Sequence, residues 1–140
     1  NNKANYDEIS ETEFTHRVYT YGFVDNINIM MDASDFIITK PGGLSVSESL
    51  AKNLPMILVE PIPGQETRNR EFLLNSGLAV AVSRTLPIEE AVYRLNKNSA
   101  VLEAMKNLTT HYAHPDSASE VADLAVSLAE KGISYEKTRN

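Results

Sequence analysis

Apolar residues along this chain fall into short runs cut by Gly/Pro-rich breaks, and the runs alternate between the periods of strand and helix. Phe36 to Thr39 is a four-residue aromatic and β-branched run that predicts a strand buried on both faces. It breaks at Lys40-Pro41-Gly42-Gly43, and a helical pattern follows from Leu44 or Ser45 to near Lys52. Met56 to Val59 repeats the strand signature, and Pro61-Ile62-Pro63-Gly64 breaks it again. Glu66 to Ser76 then predicts a helix with Phe72, Leu73 and Leu74 facing inward and Gly77 ending it, before a further strand from Leu78 to Val82. Upstream, Val18 to Tyr21 carries a strand-like pattern, the loop Gly22-Phe23-Val24-Asp25-Asn26 follows, and a short apolar helix is predicted from Ile27 to Asp32. Downstream, Pro87 starts a helix over Ile88 to Leu95 and Ser99 opens Val101 to Thr110. Ser117 or Ser119 opens a last helix, on which Val121, Leu124, Ala125 and Leu128 keep helical spacing. Repeated strand, loop and helix predict an α/β fold with a parallel sheet. Ligands of such sheets bind beyond the carboxyl ends of the strands, so the Lys40–Gly43 and Pro61–Gly64 loops are expected on one rim.

Composition narrows the classes of function. The 140 residues are 42% hydrophobic and 23% charged, which suits one globular domain with a real core. A net charge of −6 argues against a partner held by a general positive field, so no nucleic acid is expected and any anion must be gripped locally. Cysteine is absent, which removes disulfides and thiolate chemistry and suits a cytosolic setting. No apolar run approaches the ~20 residues of a membrane span. His111 and His114 have no third ligand at a recognisable spacing and read as capping or solvated side chains, and there is neither a P-loop nor an Asp-x-Asp pair for a metal diphosphate. The polar segment 1–16 reads as a linker or weak helix, 17–130 as the folded domain, and 131–140 as a charged, frayed tail.

The two loops carry the candidate chemistry. Gly42 and Gly43 remove two β-carbons just before a helix, so an anion, phosphate above all, could approach backbone N–H groups at the positive end of the dipole. Glycine there could equally serve the geometry of a tight turn. Ser45 and Glu48 have the spacing of a capping box; alternatively Glu48 lies one turn into the helix, placed to accept the two hydroxyls of a ribose. Glu66 either complements the dipole of its helix or joins Gln65 and Asn69 in orienting a sugar ring. Phe23, at a strand end, is either a lid over the core or a ring left free to stack on a base.

At these residues the sequence resembles the glycosyltransferases that include bacterial processive diacylglycerol glucosyltransferases and plant monogalactosyldiacylglycerol synthases, with the N-acetylglucosaminyl transferase of peptidoglycan synthesis a more distant relative. Three blocks carry the resemblance: Gly22 to Asn26, Ile38 to Ser45 with Glu48, and Pro61 to Glu66 with Asn69. It covers roughly Arg17 to Leu128, and the KPGG and PGQE forms point to the diacylglycerol branch. The resemblance implies the Rossmann-like, UDP-sugar-binding half of a GT-B glycosyltransferase. Carried over, Phe23 and the backbone of Val24 hold the uracil, Glu48 the ribose diol, Gly42, Gly43, Leu44 and Ser45 the diphosphate, and Gln65, Glu66 and Asn69 the donor sugar. It also implies inverting transfer, a general base from outside these residues, no metal or other cofactor, and UDP departing against a helix terminus.

A domain of this kind begins with a strand, helix, strand unit that should precede Asn1, with an acceptor-binding domain before it. The chain is therefore expected to be a fragment, inactive alone, whose sheet lacks its central strands and whose segments at Val18 and Phe36 are not neighbours. Its expected partners are a UDP-sugar, a lipid acceptor met through the missing domain, and a complementary fragment or strand-exchanging copy that fills the gap. The complete protein is expected on the cytoplasmic face of the membrane, peripherally bound. Two other readings are another UDP-sugar enzyme, such as an epimerase, and a non-catalytic nucleotide-sugar sensor.

Overall fold

The computed structural model describes residues 3–130, and the charged tail expected over 131–140 lies outside the described residues. Its centre is a parallel sheet of three strands, β1 (Ile37–Thr39), β2 (Met56–Leu58) and β3 (Ala79–Ala81), in the order β1-β2-β3. Ile37 lies opposite Met56, and Met56 opposite Ala79. Among the described residues seven helices accompany the strands: α1 (Lys3–Glu11), α2 (Ile27–Asp32), α3 (Gly43–Ala51), α4 (Gln65–Asn75), α5 (Ile88–Lys97), α6 (Ser99–Tyr112) and α7 (Ser117–Glu130). Sequential strands joined by crossover helices form one half of a doubly wound sheet.

The period of two in β2 divides the core into two layers. Met56 and Leu58 pack with Val46 of α3 and Leu73 of α4 on one face, while Ile57 packs with Ala91 and Leu95 of α5 and Met105 of α6 on the other. All three residues of β2 are buried, as a central parallel strand requires. Phe72 meets Tyr112 edge-on, with ring centroids 5.5 Å apart, and ties α4 to α6.

Helices α3 and α4 end in the same way, and that fixes where the next strand starts. At α4 the Leu78 N–H reaches the Leu73 carbonyl at 2.9 Å and the Gly77 N–H the Leu74 carbonyl at 3.2 Å, with Gly77 at φ +70°. At α3 Leu54 bonds to Ser49 at 2.9 Å and Asn53 to Leu50 at 3.0 Å, with Asn53 at φ +52°. Both are Schellman turns, and each delivers a buried leucine to the core just before β2 or β3.

Two expectations need correction. The segment Val18 to Tyr21 is not a strand: Val18, Tyr19 and Tyr21 are exposed and pair with no other strand. Alternating β-formers become a strand only when a neighbour takes their N–H and C=O groups, and the sheet here brings none to them. The capping box of Ser45 and Glu48 does not form, because the helix starts earlier, with Gly42 as its N-cap and Ser45 already in its first turn. The spaced apolar residues of α7 do form a helix, yet Val121, Leu124 and Leu128 face outward and no residue of α7 is buried. Helical periodicity marks a face without saying whether anything covers it.

Candidate functional site

The connections β1–α3 and β2–α4 both leave the carboxyl ends of neighbouring strands, and the side chains of α4 join them. Asn69 Nδ2 donates to the Pro41 carbonyl oxygen at 2.9 Å. Glu66 Oε2 accepts the Ile62 N–H at 2.6 Å, which closes the Pro61–Gly64 turn, and its Oε1 lies 3.7 Å from where a Cβ on Gly42 would stand. That turn needs its glycine, since Gly64 sits at φ +110°.

The glycines before α3 are a different case. Gly42 has φ −71° and Gly43 is already helical, so neither adopts a backbone conformation that requires glycine. A Cβ on Gly43 would meet nothing within 4 Å. The turn-geometry explanation of this pair therefore fails, and at Gly43 the missing side chain leaves open space. The first bond of the helix runs from the Val46 N–H to the Gly42 carbonyl at 3.0 Å, and no side chain caps this end. The N–H groups of Gly43, Leu44 and Ser45 thus have no intrahelical partner and lie at the positive end of the dipole. Leu44, in the first turn, is 83% exposed.

Glu48 lies one turn further along α3 and lines a small cavity of about 130 Å³ with Ile27, Asn28 and Met31 of α2, Ala51 of α3 and Lys52 just after it. Lys52 is paired with Asp32 at 2.6 Å, and none of the ion pairs among the described residues takes Glu48. Phe23 is fully exposed, at 100%, in a cleft it shares with Tyr6 and Ile9 of α1 and with Tyr21, so it is no lid over the core. The loop of Phe23 and half-buried Val24 leads straight into α2, which brings Glu48 beside the same helix.

The structure therefore assembles Gly42, Gly43, Leu44, Ser45, Glu66 and Asn69 at one rim, with Gln65 exposed at the start of α4. Glu48 occupies the α2–α3 cleft, and Phe23 and Val24 lie on the connection before α2, outside the rim cluster. Sequence reasoning missed Pro41 as anything but a breaker. Its carbonyl anchors Asn69 across 28 positions, and no local spacing signals such a bond. His111 stacks edge-on against Tyr112 within α6, with centroids 5.3 Å apart. Among the described residues no group of three or more potential metal ligands is close enough to hold an ion.

A processive diacylglycerol beta-glucosyltransferase of Bacillus pumilus is 36% identical over 107 residues, covering 75% of this chain and 28% of that protein. The enzymes of the same name from Bacillus licheniformis and Bacillus subtilis are 34% identical over 119 residues and 36% over 96, covering 85% and 69% of this chain and 30% and 25% of theirs. The chain thus spans under a third of the length of these relatives. The crystal structure of the glycotransferase of kitacinnamycin shares the fold, with a TM-score of 0.51 at 19% identity over 70% of this chain and 27% of that one. The sequence model of the glycosyltransferase family 28 C-terminal domain matches residues 1–127, and the chain belongs to that family.

Proposed function

We propose that this chain is the donor-binding part of an inverting glycosyltransferase that moves a hexose, glucose or galactose, from UDP to diacylglycerol or glycosyl-diacylglycerol. The observation that carries the reading is the uncapped start of α3, where two glycines that the backbone does not need precede three N–H groups without an intrahelical partner, with nothing within 4 Å of a Cβ at Gly43. An uncapped helix end on the carboxyl rim of a parallel sheet suits a diphosphate. The naming of the curated relatives supplies the acceptor class.

In this reading Gly42 gives the diphosphate room, and the amides of Gly43, Leu44 and Ser45 hold it. Glu48 takes the ribose hydroxyls, Phe23 and the Val24 backbone take the uracil, and Gln65, Glu66 and Asn69 face the hexose. The acceptor hydroxyl attacks the anomeric carbon, its proton passes to a base outside these residues, and the bond to UDP breaks with its electrons on the diphosphate. The α3 terminus stabilises that charge as it develops, and donors fixed in advance need no reorganisation at that moment. Among the described residues no helix is long and apolar enough to cross a membrane. In this reading the complete enzyme works from the cytoplasmic surface of the bilayer, peripherally attached.

The test is an acceptor assay on the complete protein, with UDP-glucose and UDP-galactose offered in parallel over diacylglycerol vesicles, beside a calorimetric titration of this chain with UDP. Glycolipid formed from one donor, together with UDP binding to the chain, is the expected result. No binding of UDP would overturn the assignment of the rim.

A further inference from the structure

Helix α4 carries polar side chains on two flanks of its first turns, and only one flank belongs to the rim described above. Glu66 and Asn69 face the β1 side; Thr67 and Arg70, each one position further on, line a cleft on the β3 side. The cleft has a volume of about 590 Å³ and opens between the segments that follow β2 and β3. Val59 and Val82 are part of its wall, and Thr67, Arg70, Ser83 and Arg84 supply its donors.

We infer that this cleft is a second anion site, bordering the second donor loop on its β3 side, and that it takes a phosphate group, free or carried by a lipid. Arg70 is half-buried, and neither Arg70 nor Arg84 enters an ion pair among the described residues, whose pairs are Lys52–Asp32, Arg94–Glu90 and Lys106–Asp35. In a chain with a net charge of −6, two guanidinium groups that form no ion pair among the described residues and share one cleft are a local reversal of sign. The single carboxylate on the lining, Glu60, is exposed and leaves the cleft with a net charge of +1. Arg84 is exposed, on a turn that is closed. Its neighbours lock the turn that carries it, through the Ser83 N–H to the Leu86 carbonyl at 2.9 Å and the Leu86 N–H to Ser83 Oγ at 3.1 Å. Two planar guanidinium groups with hydroxyls beside them match the several oxygens of a phosphate, whereas a carboxylate would occupy only one fork. The site lies on the carboxyl rim, where a second ligand can sit beside the first.

The experiment is a calorimetric titration of this chain with inorganic phosphate at saturating UDP, repeated with Arg70→Ala, Arg84→Ala and Arg84→Lys. Phosphate should bind with UDP present. Each alanine variant should weaken it about tenfold or more, as the loss of a charge-assisted bond does, and the lysine variant should recover part of the loss. Thermal unfolding of the same variants checks that they stay folded. A parallel arm measures sedimentation with phosphatidylglycerol and with phosphatidylcholine vesicles: binding to the former that depends on Arg84 identifies a lipid-borne phosphate, and response to inorganic phosphate alone identifies a free one. Phosphate affinity that the variants leave unchanged, or that UDP abolishes, would overturn the site. A chain that binds phosphate through Arg84 but never UDP would refute the donor assignment and leave this site standing.

Discussion

Asn69 and Pro41 are joined by a 2.9 Å hydrogen bond from side-chain amide to main-chain carbonyl, and this bond couples the two loops on which the candidate site depends. One loop presents the open end of α3, and the other presents Gln65 and Glu66; without the tie each would be positioned only by its own strand. Replacing Asn69 with alanine should cost about 1 kcal/mol of stability, the net worth of one such bond, with more lost if the Pro41 carbonyl stays dry. Urea denaturation measures this. A change well under ~0.5 kcal/mol would mean the loops are held by something other than this contact.

Glu48→Ala should act on ligand binding far more than on folding. The carboxylate forms no capping box in this structure, so denaturation should move by less than ~0.5 kcal/mol. A lost charge-assisted bond to a ribose is worth roughly 1.5–3 kcal/mol, an affinity drop of about 10- to 150-fold for UDP. Calorimetry with UDP reads it directly, and unchanged affinity would remove Glu48 from the site.

For Glu66→Ala the two effects should be mixed. One oxygen closes the Pro61–Gly64 turn through the Ile62 N–H at 2.6 Å, so roughly 1 kcal/mol of stability should go with it. UDP affinity should survive, because the α3 terminus and Glu48 are intact, while discrimination between UDP-glucose and UDP-galactose by the complete enzyme should fall. If UDP itself is lost as badly as with Glu48→Ala, the sugar end of the site has been misplaced.

Gly77→Ala tests the backbone that sets β3. The residue sits at φ +70°, and its new Cβ would come within 3.0 Å of Leu108 Cδ1, so strain and a clash combine. The left-handed conformation alone costs an L-residue about 1–2 kcal/mol. Thermal unfolding should show at least that loss, and a neutral result would mean the Schellman turn can be redrawn without moving Leu78.

Much of this protein was legible in its residues because the determining forces are local. Phe36 to Thr39, Met56 to Val59 and Leu78 to Val82 are apolar runs bounded by glycine and proline, and a parallel central strand must be such a run; the structure forms strands within each. Helix α2 begins and ends where its short apolar pattern does, and Gly77 ends α4 because only a residue tolerant of positive φ can close that turn. The order of strand, loop and helix was enough to put two loops on one rim, since crossover connections in a parallel sheet leave no other arrangement.

What the tertiary structure decided was everything that depends on a distant partner. Val18 to Tyr21 has the residues of a strand and remains unpaired, because a strand exists only where another chain segment takes its hydrogen bonds. Ser45 and Glu48 have the spacing of a cap and do not make one, because the helix begins where the chain leaves β1 and so passes that position already wound. Glycine at position 43 could have served a turn or a ligand, and only the folded backbone, helical there and without positive φ, removes the need for it in a turn. The bond from Asn69 to Pro41 spans 28 residues, and the divided flanks of α4 face two different loops. Short-range periodicity determines which segments wind or extend; which of their polar groups meet is set by the packing of the whole sheet, and a site is made of those meetings.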